Sequence, residues 1–286
     1  MSHPHLSALK AAFAALACAG AVPLAAQTPP EPPARPALAL MGTIPIFWGE
    51  ADGLSDLLNG SGTPHWARAQ LERQWRLVPL DHLDGAALNG VERLLLAQPR
   101  AFTPAENVAL DAWVRGGGQL LLFADPMLTG ESRFALGDRR RPQDVALLSP
   151  ILAHWGLRLE FRDDEPAAVQ MREFAGKSLP VRLAGQLVTD GVGAGCALES
   201  AGLIAACPLG QGQVLVVADA ALLDLHEPAP CASPALEALA ARAFAQAREN
   251  AGAIAENNPK PAENCDFVRD PAVHGVPLEA FLTPHK

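Results

Sequence analysis

One segment, FTPAENVALDAWVRGGGQLLLFAD (residues 102–125), constrains the fold more than any other part of the chain. Thr103, Pro104 and Glu106 have the spacing of a helix start, because a threonine N-cap and a glutamate three residues later can cap each other's amides. Three glycines end this helix, and the apolar run that follows predicts a strand buried on both sheet faces. Since the strand-like ERLLLAQP precedes the helix, the segment predicts a right-handed βαβ unit in a parallel sheet.

A second segment, GQGQVLVVAD (residues 210–219), repeats the last part of this pattern. A glycine turn leads into a continuous apolar strand, and the strand ends in Asp219 as the earlier one ends in Asp125. We therefore expect two buried strands that lie side by side in one sheet and present their aspartates at one edge. Residues 165–209 contain short strand-like segments separated by turn residues, which predicts a small β-rich insertion. The segment SPALEALAARAF predicts a final helix with Ser233 as its N-cap.

The first 26 residues have the features of a secretory signal peptide. Lys10 is the only formally charged side chain before an apolar run that ends at Ala26. This run is short for a membrane span, which needs about 20 apolar residues. We expect cleavage after Ala26, with Ala21 as an alternative, and a lipoprotein site at Cys18 is a weaker alternative. The mature protein is then expected in the periplasm or outside the cell, without a transmembrane segment.

Composition changes along the chain predict its domain organisation. Proline-rich QTPPEPPARPA is typical of a stiff, extended linker, and the last segment is proline-rich and weakly patterned. The predicted parts are a signal peptide (1–26), a linker (27–37), an α/β domain (38–249) and a C-terminal tail (250–286).

Four cysteines follow the predicted leader, and an even number in an oxidising compartment favours disulfide bonds. Cys196 and Cys207 flank ALESAGLIAA, which predicts two short strands around a turn, so these cysteines can face each other across a hairpin. We expect the pairs Cys196–Cys207 and Cys231–Cys265. Four cysteines allow three connectivities, and free buried thiols are the alternative.

Asp125 and Asp219 are the first candidates for a functional site. Each stands where a predicted parallel strand leaves the sheet, which is the edge at which doubly wound α/β folds bind ligands. Their carboxylates are therefore candidates to bind a polar ligand or to transfer a proton. The alternative is that each aspartate caps neighbouring backbone amides. Neither has a partner at a motif spacing, and this favours capping.

The long loop after Asp125 adds basic candidates. Arg139 and Arg140, in a run that ends with Arg141, can clamp a carboxylate or phosphate, because guanidinium groups suit planar bidentate recognition. Arg133 is a similar candidate. The alternative is a solvated charge run balanced by nearby aspartates, although loops longer than about 12 residues are often functional or disordered.

Trp48 and Glu50 end the first predicted strand, ALALMGTIPIFW, at the same edge. A tryptophan wall beside a carboxylate suits a sugar or a cationic group. A contact at the rim of the site, without ligand binding, is the alternative for these two residues.

Several other kinds of chemistry lack their sequence signatures. The sequence contains no G-x-S-x-G elbow, P-loop, H-E-x-x-H pair or dinucleotide-binding glycine motif. We therefore predict no catalytic nucleophile, no metal site and no cofactor. The net charge of −9 argues against nucleic acid and anionic membrane surfaces as general partners.

The segments FTPAENVALDAWVRGGGQLLLFADPML and GQGQVLVVADAALLD resemble the GldG-like proteins, which are extracytoplasmic auxiliary components of ABC-type transport systems. In that family, a helix ending in glycines leads into a strand that closes with Asp-Pro, and a later glycine turn leads into a strand that closes in Asp. With the opening strand, the resemblance covers about residues 38–225. It implies an α/β fold of the flavodoxin-like or class I glutamine-amidotransferase-like type, a parallel sheet sandwiched by helices. The catalytic cysteine is missing, because Asp125-Pro126 stands at the nucleophile position.

The leading functional hypothesis is a non-catalytic extracytoplasmic domain that binds a ligand or a partner. The partner implied by the resemblance is an ABC-type permease or another envelope protein, and the basic loop suggests a small polar or anionic ligand. One alternative is a hydrolase or transferase that uses Asp125 or Asp219 with a histidine such as His154 or His226. Another is a structural envelope protein.

Overall fold

The computed structural model describes residues 34–50, 55, 64–130, 132–191, 195–224 and 231–245. The strands are β1 (Ala37–Gly42), β2 (Arg76–Pro79), β3 (Arg93–Ala97), β4 (Gln119–Phe123), β5 (Leu157–Glu160), β6 (Gln170–Phe174), β7 (Lys177–Val181), β8 (Gln186–Thr189), β9 (Ala197–Glu199), β10 (Ile204–Leu209) and β11 (Gly212–Val217). The helices are α1 (Trp66–Leu71), α2 (Pro104–Arg115), α3 (Ser149–His154), α4 (Ala221–Asp224) and α5 (Ala232–Phe244), with a 3₁₀ turn at Ser200–Gly202.

Within the described residues, seven strands form the central sheet in the order β2-β1-β3-β4-β11-β10-β9. The first five strands of this order are parallel to one another, and β10 and β9 add an antiparallel edge. The prediction of an α/β fold with a mostly parallel sheet is confirmed. The two apolar strands β4 and β11 are neighbours, as predicted, and Phe123 is in register with Val217.

Helices cover both faces of this sheet. Alternate side chains of each strand point to opposite faces, so each strand contributes to two cores. Leu121 and Phe123 of β4 belong to a core that also contains side chains of α1 and α5. Leu120 and Leu122 of the same strand belong to a second core, which they share with α2 and α3. Burial on both faces explains why β3, β4 and β11 are continuously apolar in sequence.

The region predicted as a β-rich insertion, residues 165–209, divides among three sheets. Strands β6 and β7 form a separate antiparallel pair, and β8 pairs with β5. The segment 197–209 differs from the prediction, because β9 and β10 join the central sheet. The reason is local: β10 and β11 are joined by a short turn in which Gly210 has a positive φ, so they pair as a hairpin.

The predicted capping box at the start of α2 is confirmed. The Thr103 hydroxyl accepts a hydrogen bond from the Glu106 amide at 3.2 Å, and the Glu106 carboxylate accepts one from the Thr103 amide at 2.9 Å. The predicted N-cap at Ser233 is wrong. Helix α5 begins two residues earlier than that cap would imply, Cys231 occupies the cap position, and no side-chain hydrogen bond caps the helix there.

The predicted disulfide between Cys196 and Cys207 is confirmed, with 4.2 Å between the two Cα atoms. It joins the residue before β9 to the middle of β10. Cys231 is buried, whereas Cys265 lies outside the described residues, so the second pair stays a prediction.

Other predictions also fall outside the described residues. They concern the signal peptide (1–26), most of the linker (27–37), the tail (250–286) and His226. In the part of the chain that the structure describes, no helix is long and apolar enough to cross a membrane.

Candidate functional site

The carboxyl ends of β4 and β11 bring two aspartates to one edge of the sheet. Asp125 lies two residues beyond the end of β4, and Asp219 lies two residues beyond the end of β11. Because the strands are parallel neighbours in register, the two residues occupy equivalent positions. Asp125 is fully buried and Asp219 is 2% exposed. We refer to them below as the aspartate pair.

Asp125 binds backbone amides from two directions. Its Oδ1 accepts a hydrogen bond from the Met127 amide at 2.7 Å, and its Oδ2 accepts one from the Ala220 amide at 3.0 Å. The first bond shapes the start of the loop after β4, and the second ties β4 to the turn after β11. The side chain therefore makes the contacts expected of a backbone cap.

Asp219 is held in a similar way. Its Oδ1 accepts a hydrogen bond from the Ala221 amide at 2.8 Å, and its Oδ2 accepts one from the Arg182 amide at 2.9 Å. Arg182 belongs to the connection between β7 and β8, so this carboxylate joins that connection to the start of α4. All four carboxylate oxygens of the aspartate pair thus accept a backbone hydrogen bond.

Burial changes the acidity of both carboxyl groups. Burial raises the pKa of Asp125 to about 6, against opposing effects of its two amide donors and the Arg182 charge. The pKa of Asp219 is raised well above its ordinary value, first by burial and then by repulsion from Asp125. The two effects have the same physical origin, because a low-dielectric environment disfavours a carboxylate and a neighbouring carboxylate disfavours it further.

Gln98, which the sequence interpretation missed, links the same edge to β3. Its side-chain amide donates to the backbone oxygens of Asp125 (3.0 Å) and Gln143 (2.8 Å) and accepts from the Asp125 amide at 2.8 Å. Its backbone has a φ of 47°, in the left-handed region that residues other than glycine seldom adopt. The available signal in the sequence was a polar glutamine directly between an apolar strand and Pro99, and the structure buries this glutamine fully.

The described residues of the segment 126–148, which we call the edge loop, fold back over this edge. Ala146 donates a backbone hydrogen bond to Asp125, and Leu128 donates one to Asp144, each at 2.8 Å. The Gln143 amide donates to the Thr43 hydroxyl just after β1 at 2.9 Å. The edge loop is therefore anchored to the ends of both β1 and β4.

The arginines of the edge loop have different roles. Arg141 donates to the backbone oxygens of Phe134 (2.7 Å) and Gly130 (3.2 Å), so it holds the loop together from inside. Arg140 pairs with Asp138 at 2.6 Å and lies 3.9 Å above the centre of the Phe134 ring. The side chain of Arg139 is exposed. The arginine whose charge acts on the aspartate pair is Arg182, outside the edge loop.

Glu50 and Arg133 meet at the same surface. The Arg133 amide donates to Glu50 Oε2, and the Arg133 guanidinium donates to the Glu50 backbone oxygen, each at 3.1 Å. The segment after β1 is thereby joined to the edge loop at a second point. Trp48 lies beside them in sequence and is 60% exposed, with its ring at 4.8 Å from that of Phe47.

Exposed apolar side chains concentrate in the segment after β1 and in the edge loop. Among the residues that the structure describes, eight large apolar side chains are exposed, and five of them lie after β1 or in the edge loop. The most exposed of the eight is Leu136, at 87%. The five are Trp48, Met127, Leu136, Val145 and Leu147.

The histidine considered for an enzyme lies elsewhere. His154, at the end of α3, has its Nε2 atom 3.3 Å from the Asp111 carboxylate of α2. Asp111 also accepts hydrogen bonds from Trp155 and Arg115, so it joins two helices on one face of the sheet. Within the described ranges, no group of three or more histidine, cysteine, aspartate or glutamate side chains is placed to hold a metal ion.

Part of the chain matches a known protein family. Residues 49–163 match a family described as an ABC-type uncharacterized transport system. The matched segment contains α2, β4, Asp125 and the whole edge loop. The match supports a relationship to auxiliary components of ABC-type transport systems. No curated protein is significantly similar in sequence.

Similar solved structures are distant. Exo-β-1,4-mannosidase Op5Man5 from Opitutaceae bacterium strain TAV5 is 15% identical, with a TM-score of 0.43 over 72% of this chain and 36% of the mannosidase. The mmIFT52 N-terminal domain is 14% identical, with a TM-score of 0.46 over 74% of this chain and 98% of that domain. A β-galactosidase from Rahnella sp. R3 is 12% identical, with a TM-score of 0.41 over 73% and 31%. This chain thus spans about a third of each glycosidase, and likenesses this remote carry no argument about function.

Proposed function

We propose that this chain is a non-catalytic, extracytoplasmic accessory domain of an ABC-type transport or cell-envelope system. The family match over residues 49–163 supports the connection to transport. The Cys196–Cys207 disulfide is compatible with an oxidising compartment, as is the signal peptide predicted for residues 1–26. The domain acts by binding a partner protein, such as a permease, at the carboxyl edge of its parallel strands.

The strand order supports the flavodoxin-like assignment that the resemblance implies. The parallel strands follow the order 2-1-3-4-5 when β11 is counted as the fifth, which is the order of flavodoxin-like sheets. Such sheets bind ligands at the carboxyl ends of the first and third strands. In this chain Gln143 of the edge loop lies there, bonded to Thr43 after β1 and to Gln98 after β3.

The observation that carries the proposal is the set of exposed apolar side chains in the edge loop and in the segment after β1. A small ligand would have to displace the edge loop to reach the aspartate pair, whose oxygens already accept backbone hydrogen bonds. Trp48 and Leu136, in contrast, are open to solvent. Exposed apolar side chains near charged groups are typical of protein-binding surfaces, and Arg133, Arg139 and Arg140 of the same loop are exposed.

Site-specific photocrosslinking in intact cells tests this function. A photoreactive amino acid at Leu136 should crosslink to a permease or another envelope protein. The matched control is Val108, which is 71% exposed on α2, and which should not crosslink to the same protein. Equal crosslinking from both positions, or none from Leu136 in a folded protein, would contradict the proposal.

The double substitution Trp48→Ala and Leu136→Ser tests the same surface by affinity. Removal of a central apolar contact costs about 2 kcal/mol or more when it is a hot spot. Co-purification of the partner identified by crosslinking should therefore fall at least about tenfold. The melting temperature should not change, because both side chains are exposed. Unchanged recovery would instead favour a purely structural envelope role.

A further inference from the structure

The aspartate pair is unusual because its two acidic groups are buried side by side. Asp125 accepts from the Ala220 amide and Asp219 accepts from the Ala221 amide, so the two carboxylates bind consecutive residues. Consecutive Cα atoms are only about 3.8 Å apart. The pair therefore has little room to separate, and both residues are buried.

Few charges are available to balance this pair. Its hydrogen-bond donors are four backbone amides, from Met127, Arg182, Ala220 and Ala221. Gln98, the polar side chain that reaches the Asp125 backbone from β3, is neutral. The charged group that acts on both carboxyls is the Arg182 guanidinium. One cation can balance one carboxylate, and a second buried charge beside it is strongly unfavourable.

We propose that Asp125 and Asp219 form a proton-binding site that holds one shared proton in the folded protein near neutral pH. The proton is bonded to one carboxyl oxygen and donated to the neighbouring carboxylate, so the pair carries a single negative charge. A carboxylate oxygen can accept more than one hydrogen bond, so this arrangement keeps all four amide bonds. Release of the proton leaves two adjacent buried charges, which loosens the attachment of the edge loop and the β7–β8 connection.

The direction of the pH dependence follows from the raised pKa values of both groups. The unfolded chain loses these protons near the ordinary pKa of 3.8, whereas in the folded chain the pKa of Asp125 is raised to about 6 and that of Asp219 is raised well above its ordinary value. Stability linked to the pair is fully present below the ordinary value and is lost as the pH rises through the folded values.

Urea unfolding of the full chain between about pH 5 and about pH 9 tests the site. When the folded state binds one proton more than the unfolded state, the unfolding equilibrium constant changes about tenfold per pH unit. The wild type should lose stability at this rate while the folded pair keeps the proton that the unfolded chain has released. Asp125→Asn and Asp219→Asn should each reduce that part of the slope, because repulsion between the two carboxylates is removed. Asp138→Asn is the matched control: its ion pair with Arg140 lowers the Asp138 pKa to about 2, so the slope should be unchanged. A wild-type slope equal to those of both pair variants would overturn the proposal.

A direct titration decides the question even where the asparagine variants do not fold. Carbon-13 NMR of the aspartate carboxyl groups in the unsubstituted protein should show one pair of coupled signals that releases a proton above about pH 6, well above the ordinary aspartate range. Titration of both carboxyls at ordinary aspartate pKa values would contradict the proposal of a shared proton. Neither result depends on partner binding, so this proposal and the proposed function fail independently.

Discussion

Glu106 joins three separate segments at the start of α2. Its carboxylate accepts hydrogen bonds from the amides of Thr103 and Leu83, at 2.9 and 3.2 Å. It also accepts two from the Arg100 guanidinium, at 2.9 and 2.7 Å. The Arg100 hydrogen bonds are the main reason that the pKa of this carboxyl group falls to about 2, although burial opposes the change. A buried charge with this many donors is favourable, because each of its acceptor positions is in use.

We expect Glu106→Gln to lower the free energy of unfolding at neutral pH by about 1.5–3 kcal/mol, the range for hydrogen bonds to charged groups. Because the folded pKa is lowered, this contribution is present above the ordinary value of 4.5 and is lost as the pH falls through about 2. Urea unfolding at neutral and acidic pH measures both effects. Glu72→Gln is the control, since its ion pair with Arg68 is partly exposed and should contribute less than about 1 kcal/mol. Equal losses in the two variants would contradict the assigned role of Glu106.

At the scale of elements, the β9–β10 pair shows how a short edge strand is secured. Strand β9 has three residues and pairs with β10 only over Ala197–Glu199. Pairing ends between Ala197 and Ala206, and the next opposite residues are Cys196 and Cys207, which form the disulfide. A three-residue strand has few hydrogen bonds of its own, so the covalent link stabilises the edge of the sheet.

We expect the double substitution Cys196→Ala and Cys207→Ala to lower the free energy of unfolding by about 3 kcal/mol at most, the chain-entropy value for a loop of roughly this length. Urea unfolding with and without a reductant measures the effect. A reductant should destabilise the wild type by a similar amount. Further destabilisation of the double variant by reductant would indicate the predicted Cys231–Cys265 bond. Equal stability of the wild type and the double variant would contradict a stabilising role for Cys196–Cys207.

At the scale of the whole molecule, burial is concentrated in the middle of the central sheet. The apolar side chains of β3, β4 and β11 pack into the cores on both faces, and each strand has a neighbour on both sides. The β6–β7 pair, in contrast, stands outside the central sheet and has one neighbour for each strand. The cores and the pairing together predict unequal local stability.

Amide hydrogen exchange should reveal this difference. Amides of β3, β4 and β11 should exchange slowest, through opening reactions close to global unfolding, whereas the unshared edges of β6, β7 and β9 should exchange fastest. The expected order follows from the number of strand neighbours and the burial of each strand. Protection of β6 and β7 as strong as that of β4 would mean that the two-stranded pair is part of the main cooperative unit.

The amino-acid sequence was sufficient to predict the local features of this fold. The α2 capping box, the buried strands β4 and β11 and the Cys196–Cys207 bond follow from residue types at short spacings. Short spacings limit the number of conformations that satisfy both hydrogen bonding and burial. The same reasoning failed for Ser233, because a serine near a helix start does not identify the residue at which the helix begins. Glu237 of the same helix accepts a hydrogen bond from Gln70 of α1, which lies 167 residues away in the sequence.

The sequence by itself thus determined which strands are buried and that two of them end in aspartate. Only the tertiary structure decided what those aspartates contact, because their donors Ala220, Arg182 and Met127 belong to three different connections. It also decided that the edge loop covers the carboxyl edge and that Gln98 links it to β3. Such contacts join segments far apart in the chain, so no local pattern of residues specifies them, and they form only after the sheet has aligned its strand ends.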